Sequence, residues 1–101
     1  QAYLNAGMMD MMWDSKEKAE EILIKRLRSE HPMPQDYLNY GHLCFLKGDR
    51  LLAYENYREA RKRLGSAKKF MSLFRPDRRS LIDNGVPTDE VYLMEDQLLR
   101  E

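Results

Sequence analysis

Few residues in this chain have the types and spacing that metal binding or nucleophilic catalysis require. His42 and Cys44 are two positions apart, so on a helix their side chains would point in different directions. The second histidine, His31, could not complete a metal shell with them. Neither a glycine-rich phosphate loop nor a G-x-S-x-G nucleophile elbow occurs in the sequence. The sequence therefore predicts no metal site, no cofactor and no enzymatic activity.

A basic run with interleaved aromatic residues stands out in an otherwise balanced chain. Residues 61–79 contain eight Lys or Arg against the single acid Asp77, and Phe70 and Phe74 lie among them. Basic and aromatic side chains together suit single-stranded nucleic acid or an acidic partner. The two phenylalanines share one helical stripe, however, and the charged positions of residues 83–101 are mostly acidic. We therefore expect the run to be neutralised within the chain, and we do not predict nucleic-acid binding.

Composition places the chain in a broad class. Among its 101 residues are seventeen Lys or Arg and seventeen Asp or Glu, so the formal net charge is zero and gives no general attraction to a membrane surface. No apolar stretch approaches the roughly 18 to 20 residues of a membrane span, and one cysteine cannot form an intrachain disulfide. We predict a cytoplasmic protein with no membrane association. Because it begins with Gln1, we also expect it to be a fragment of a longer chain.

The elements that must position these residues are helices. Two stripes of apolar or small residues recur at helical spacing, one comprising Tyr37, Gly41, Cys44 and Gly48 and the other Ala53, Tyr57, Ala60 and Leu64. They predict an antiparallel hairpin that turns at Gly48 and Asp49, with Gly41 and Ala53 allowing the two helices to approach closely. A similar hairpin is predicted over residues 1–31, with helices before and after Asp14.

The period fails after residue 65, and a different arrangement is predicted there. Ser66 is expected to cap a short helix whose stripe comprises Ala67, Phe70, Met71 and Phe74. Gly85 is expected to end a second short helix, and Thr88 to cap a final one. We predict that residues 66–101 form a non-repeat cap of helices packed on the second hairpin, because the exposed apolar end of a helical stack must be covered.

An internal repeat becomes visible when the chain is shifted by 34 residues. The shift places Tyr3, Leu4, Asn5 and Gly7 on Tyr37, Leu38, Asn39 and Gly41. The second copy, with Gly41, Ala53, Tyr57 and Ala60, resembles the tetratricopeptide repeat. The resemblance implies an all-α fold of antiparallel helical hairpins, a fragment of an α-solenoid. Its two repeats would be residues 1–31 and 32–65, followed by the capping helices.

The resemblance also implies where a ligand would bind. In tetratricopeptide arrays the first helix of each hairpin lines a concave face, which here comprises Asn5, Met8, Met11, Met12, Asn39, His42, Phe45 and Leu46. We predict a scaffold that binds a peptide or helix of a protein partner on this face, and an oligomer is compatible with it. The alternative is a structural cap of a longer helical array, in which other repeats of the same chain, or the capping helices themselves, cover the face and no separate ligand binds.

Overall fold

The computed structural model describes residues 15–100, and that part of the chain is helical with short connections and no strand. The prediction of an all-helical fold is confirmed for these residues. The helices are α1 (Lys16–Leu27), α2 (Pro34–Leu46), α3 (Arg50–Leu64), α4 (Ala67–Phe74), a 3-10 turn (Arg75–Asp77), α5 (Arg78–Asp83) and α6 (Thr88–Leu99). None of the helices within residues 15–100 combines the length and the apolar character that spanning a bilayer would need.

Helices α2 and α3 form the predicted hairpin. Pro34 occupies the first turn of α2, where its missing N–H costs nothing, and the Asp36 carboxylate accepts a hydrogen bond from the Met33 N–H at 2.8 Å. The connection relies on Gly48, whose φ of 87° favours glycine. Asp49 then caps α3 by accepting a hydrogen bond from the Leu52 N–H at 3.1 Å.

The ring of Tyr57 packs directly against the backbone of α2. A Cβ atom added to Gly41 would lie 2.6 Å from two carbons of that ring, which is far inside van der Waals contact. The hairpin therefore needs glycine at this position, because the space of a side chain is already filled by Tyr57.

The remaining helices pack around α2 and α3. Helix α1 packs on one side of α2, where Ala19 and Leu23 meet Leu43. Helices α4 to α6 cover the hairpin elsewhere and, together with the loop before α6, contribute more than half of the buried residues in the main apolar cluster. From these three helices and the loop before α6, the core contains Phe70, Met71, Phe74, Leu81, Val86, Val91, Met94 and Leu98. Helix α2 is thus enclosed by its neighbours on several sides.

Candidate functional site

The predicted binding face falls partly outside the described residues. Asn5, Met8, Met11 and Met12 lie there, so their predicted role stays a prediction. The other predicted positions are all on α2: Asn39, His42 and Phe45 are buried, and Leu46 is half-buried. The Oδ1 atom of Asn39 accepts no hydrogen bond from the described residues.

The prediction that His42 and Phe45 line an open groove is wrong for this structure. The Phe74 ring from α4 lies 5.9 Å from the His42 ring. Phe45 belongs to the same apolar cluster as Phe70 and Leu81. The prediction failed because α4 and α5 of the same chain cover the face of α2 that a ligand was expected to reach. Side chains on this face therefore support the fold.

His42 connects three elements through hydrogen bonds. Its Nδ1 atom is 2.7 Å from the hydroxyl of Tyr57 on α3, and its Nε2 atom is 2.9 Å from Oδ2 of Asp77 in the 3-10 turn. A carboxylate can only accept, so Nε2 carries a proton and donates it to Asp77. In the neutral form of the ring, this leaves Nδ1 to accept a hydrogen bond from the Tyr57 hydroxyl. All polar atoms of the imidazole are thereby satisfied inside the core.

An aspartate, a histidine and a hydroxyl in this order resemble a catalytic relay. Tyr57 is fully buried, however, and the relay is reached by solvent only at Asp77, whose side chain is 13% exposed. Burial raises the pKa of the Tyr57 hydroxyl well above its ordinary value of 10.0, and the Asp77 carboxylate raises it further. A hydroxyl that is enclosed and held protonated is a poor nucleophile, so the arrangement is a structural polar network.

Cys44 is the other residue that could perform chemistry. Its side chain is buried in the core cluster, and burial raises the pKa of the thiol from 9.0 to about 11. A buried protonated thiol is a poor nucleophile and a poor metal ligand. Within residues 15–100 no three of the His, Cys, Asp and Glu side chains are grouped to hold a metal ion.

Part of the basic run is neutralised within the chain, as predicted. The buried carboxylate of Glu95 on α6 accepts hydrogen bonds from Arg75 at 3.2 Å and from Arg78 at 3.1 Å. Arg78 also lies over the ring of Tyr92, 5.1 Å from its centroid. These contacts fasten the 3-10 turn and α5 to α6. Lys68 and Lys69 on α4 remain exposed.

Among the surface clefts of the described residues, two that border α6 were not foreseen from the sequence. The first, between α3 and α6, has a volume of about 510 Å³ and is lined by Arg50, Leu51, Tyr54, Leu93 and Gln97. The second, between α4 and α6, has a volume of about 750 Å³ and is lined by Lys68, Met71, Ser72, Arg75, Pro76 and Leu99. One sequence signal could have indicated them. Leu51, Leu93 and Leu99 are large apolar residues that lie off the buried stripes of their helices.

Comparison with known proteins does not assign the chain to a family. No family model matched the chain, and no match was found among curated proteins or among solved structures.

Proposed function

We propose that this chain is a protein-interaction scaffold built on tetratricopeptide-like hairpins, which binds a peptide or helix of a partner protein and performs no catalysis. The observation that carries the proposal is the exposure of Leu51 and Leu93 on adjacent helices, at 69% and 50%. The residues best suited to chemistry, by contrast, are used inside the fold. A cytoplasmic setting belongs to the same proposal, since the one thiol is buried and unpaired.

The physical reason is the cost of apolar surface in water. Each Å² of apolar surface that leaves water contributes about 25 cal/mol, and adjacent exposed apolar side chains with polar neighbours are typical of interaction sites. Tyr54 lines the same cleft as Leu51 and Leu93, and Arg50, which also lines it, pairs with Glu90 at 3.7 Å. Apolar and aromatic side chains beside polar ones are a composition that protein interfaces use.

Only part of the predicted concave face can contribute to this proposal. His42 and Phe45 on α2 are covered by α4 and α5, so a ligand on this face would depend on Leu46 and on the part that Asn5, Met8, Met11 and Met12 would supply. That α4 and α5 cover this face also favours the alternative role, in which the chain is a structural end of a helical array without a ligand. The two roles differ in whether the Leu51 and Leu93 cleft is occupied by a partner.

Site-specific photo-crosslinking separates them. A photo-reactive amino acid is placed at position 51 or 93 of the full-length protein in the cells that produce it, and Glu30, which is exposed on the connection between α1 and α2, serves as the control position. The scaffold proposal expects one discrete protein adduct from positions 51 and 93 and none from position 30. Equal adduct patterns at all three positions would favour the structural role.

A further inference from the structure

The cleft between α4 and α6 is lined by both charged and apolar side chains. Lys68 and Ser72 on α4 and Arg75 directly after it are spaced at i, i+4 and i+7, so they lie along the same side of this segment. Seven residues of helix rise by about 10 Å, so the backbone positions of Lys68 and Arg75 are separated by about that distance along the cleft. Leu99 from the end of α6, Pro76 and Met71 supply the apolar part of the lining.

The charge in this cleft is positive. None of the described residues that line it is acidic. Arg75 shares the single carboxylate of Glu95 with Arg78, so two positive charges are balanced by one negative charge. Lys68 is exposed and forms no ion pair with the acids of residues 15–100. An anionic ligand would therefore be attracted to the α4 side of the cleft.

The apolar surface in the cleft is aliphatic. Met71 is almost completely buried and forms its floor, whereas Leu99 is 44% exposed and forms part of its wall. The two aromatic rings of α4, Phe70 and Phe74, are fully buried in the core. Nucleic-acid bases would thus find no exposed ring to stack on, while a leucine-like side chain would find methionine, proline and leucine around it.

We propose that this cleft binds an acidic amphipathic peptide. An aliphatic side chain of the peptide enters beside Leu99 above Met71, and carboxylates placed about 10 Å apart pair with Lys68 and Arg75. The inference rests on the proposed function, that of a protein-interaction scaffold, and assigns it a second surface and a partner chemistry.

The binding test uses fluorescence anisotropy with three labelled probes and the complete chain. The first probe is an amphipathic peptide of about twelve residues with leucine on one face and glutamate on the other. The second carries lysine in place of every glutamate, and the third is an oligouridylate of about twelve nucleotides. We expect saturable binding of the acidic peptide only, weakening as ionic strength rises from about 0.05 to about 0.5 M.

Matched variants locate the site. Lys68→Glu should weaken binding of the acidic peptide about fivefold or more, and Leu99→Ala about tenfold. Lys62→Glu makes the same charge change on α3 outside the cleft, and Met33→Ala removes an exposed apolar side chain just before α2, outside both clefts. These two controls should bind as the unmodified chain does. Circular dichroism on all four confirms that they are folded.

Each remaining outcome overturns the inference. Failure of the acidic peptide to saturate up to about 1 mM excludes the cleft as such a site, and tighter binding of the oligouridylate assigns it to nucleic acid. An equal effect of Lys62→Glu and Lys68→Glu would show attraction to the whole basic run. If position 51 still gives a discrete adduct in the photo-crosslinking experiment, the scaffold proposal survives any of these results.

Discussion

His42 and Asp77 are hydrogen-bonded at 2.9 Å although 35 residues separate them in the sequence. His42 lies on α2, at the centre of the helical hairpin, and Asp77 lies in the 3-10 turn between α4 and α5. The bond therefore joins the C-terminal helices to the hairpin. Tyr57 on α3 completes the network at the other nitrogen of the imidazole, so one histidine side chain fixes three elements relative to each other.

Removing the Tyr57 hydroxyl should destabilise the fold without changing its shape. Tyr57→Phe leaves Nδ1 of His42 buried and without a partner, which costs about 1 to 3 kcal/mol of the free energy of unfolding. The measurement is urea denaturation followed by circular dichroism. Tyr92→Phe is the control, because that ring is exposed and its change should lie within about 0.5 kcal/mol. Equal midpoints for the two variants would contradict a structural role for the network.

Substitution of Gly41 should be costly even though glycine is a poor helix former. Gly41→Leu places a side chain where the ring of Tyr57 already lies at 2.6 Å from the position of Cβ. We expect overpacking to lower the free energy of unfolding by about 1 to 3 kcal/mol, whereas the higher helix propensity of leucine raises it by about 1 kcal/mol. Thermal and urea unfolding measure the balance, with Glu55→Ala on the exposed face of α3 as the control. A raised midpoint for Gly41→Leu would disprove the close approach.

Local features of the fold were accessible from the sequence because short-range physics decides them. Helical spacing indicated α2 and α3, and Ser66 caps α4 as predicted, with its hydroxyl accepting a hydrogen bond from the Lys69 N–H. The prediction of where α6 starts was less accurate. Thr88 was predicted to cap it, but Pro87 occupies the cap position and Thr88 is the first helical residue, a shift of one position that helix ends commonly show.

The candidate site could not be derived in the same way. Helical spacing states which residues share a face, but it does not state which neighbour covers that face. His42 and Phe45 were assigned to an open groove because the cover, Phe74 and its neighbours, comes from a segment outside the repeat. The Leu51 and Leu93 cleft was missed because the two residues come from helices that meet only in the folded chain.

Glu95 should contribute more to stability than its neighbour Asp96. Glu95→Gln removes a buried carboxylate that holds two arginines, and we expect a loss of about 1 to 3 kcal/mol, since the guanidinium groups keep their charge without a counter-ion. Asp96→Asn changes an exposed residue that pairs with Arg100, and its effect should stay below about 0.5 kcal/mol. Urea denaturation of both variants is the measurement. A larger loss of free energy of unfolding for Asp96→Asn than for Glu95→Gln would contradict the structural role of Glu95.

The buried thiol of Cys44 should make stability fall in alkaline solution. Its pKa is raised from 9.0 to about 11 by burial, so its contribution is fully present below pH 9.0. As the pH rises from there towards 11, the unfolded thiol ionises while the folded one stays protonated, and stability is lost. Between pH 8 and about pH 10.5, the unmodified chain should lose about 2 kcal/mol more than Cys44→Val. Urea denaturation under reducing conditions measures this difference, and Tyr40 and Tyr57, whose pKa values are raised chiefly by burial, contribute to the pH profiles of both proteins. Parallel pH profiles would show that the Cys44 thiol is not kept protonated by the fold.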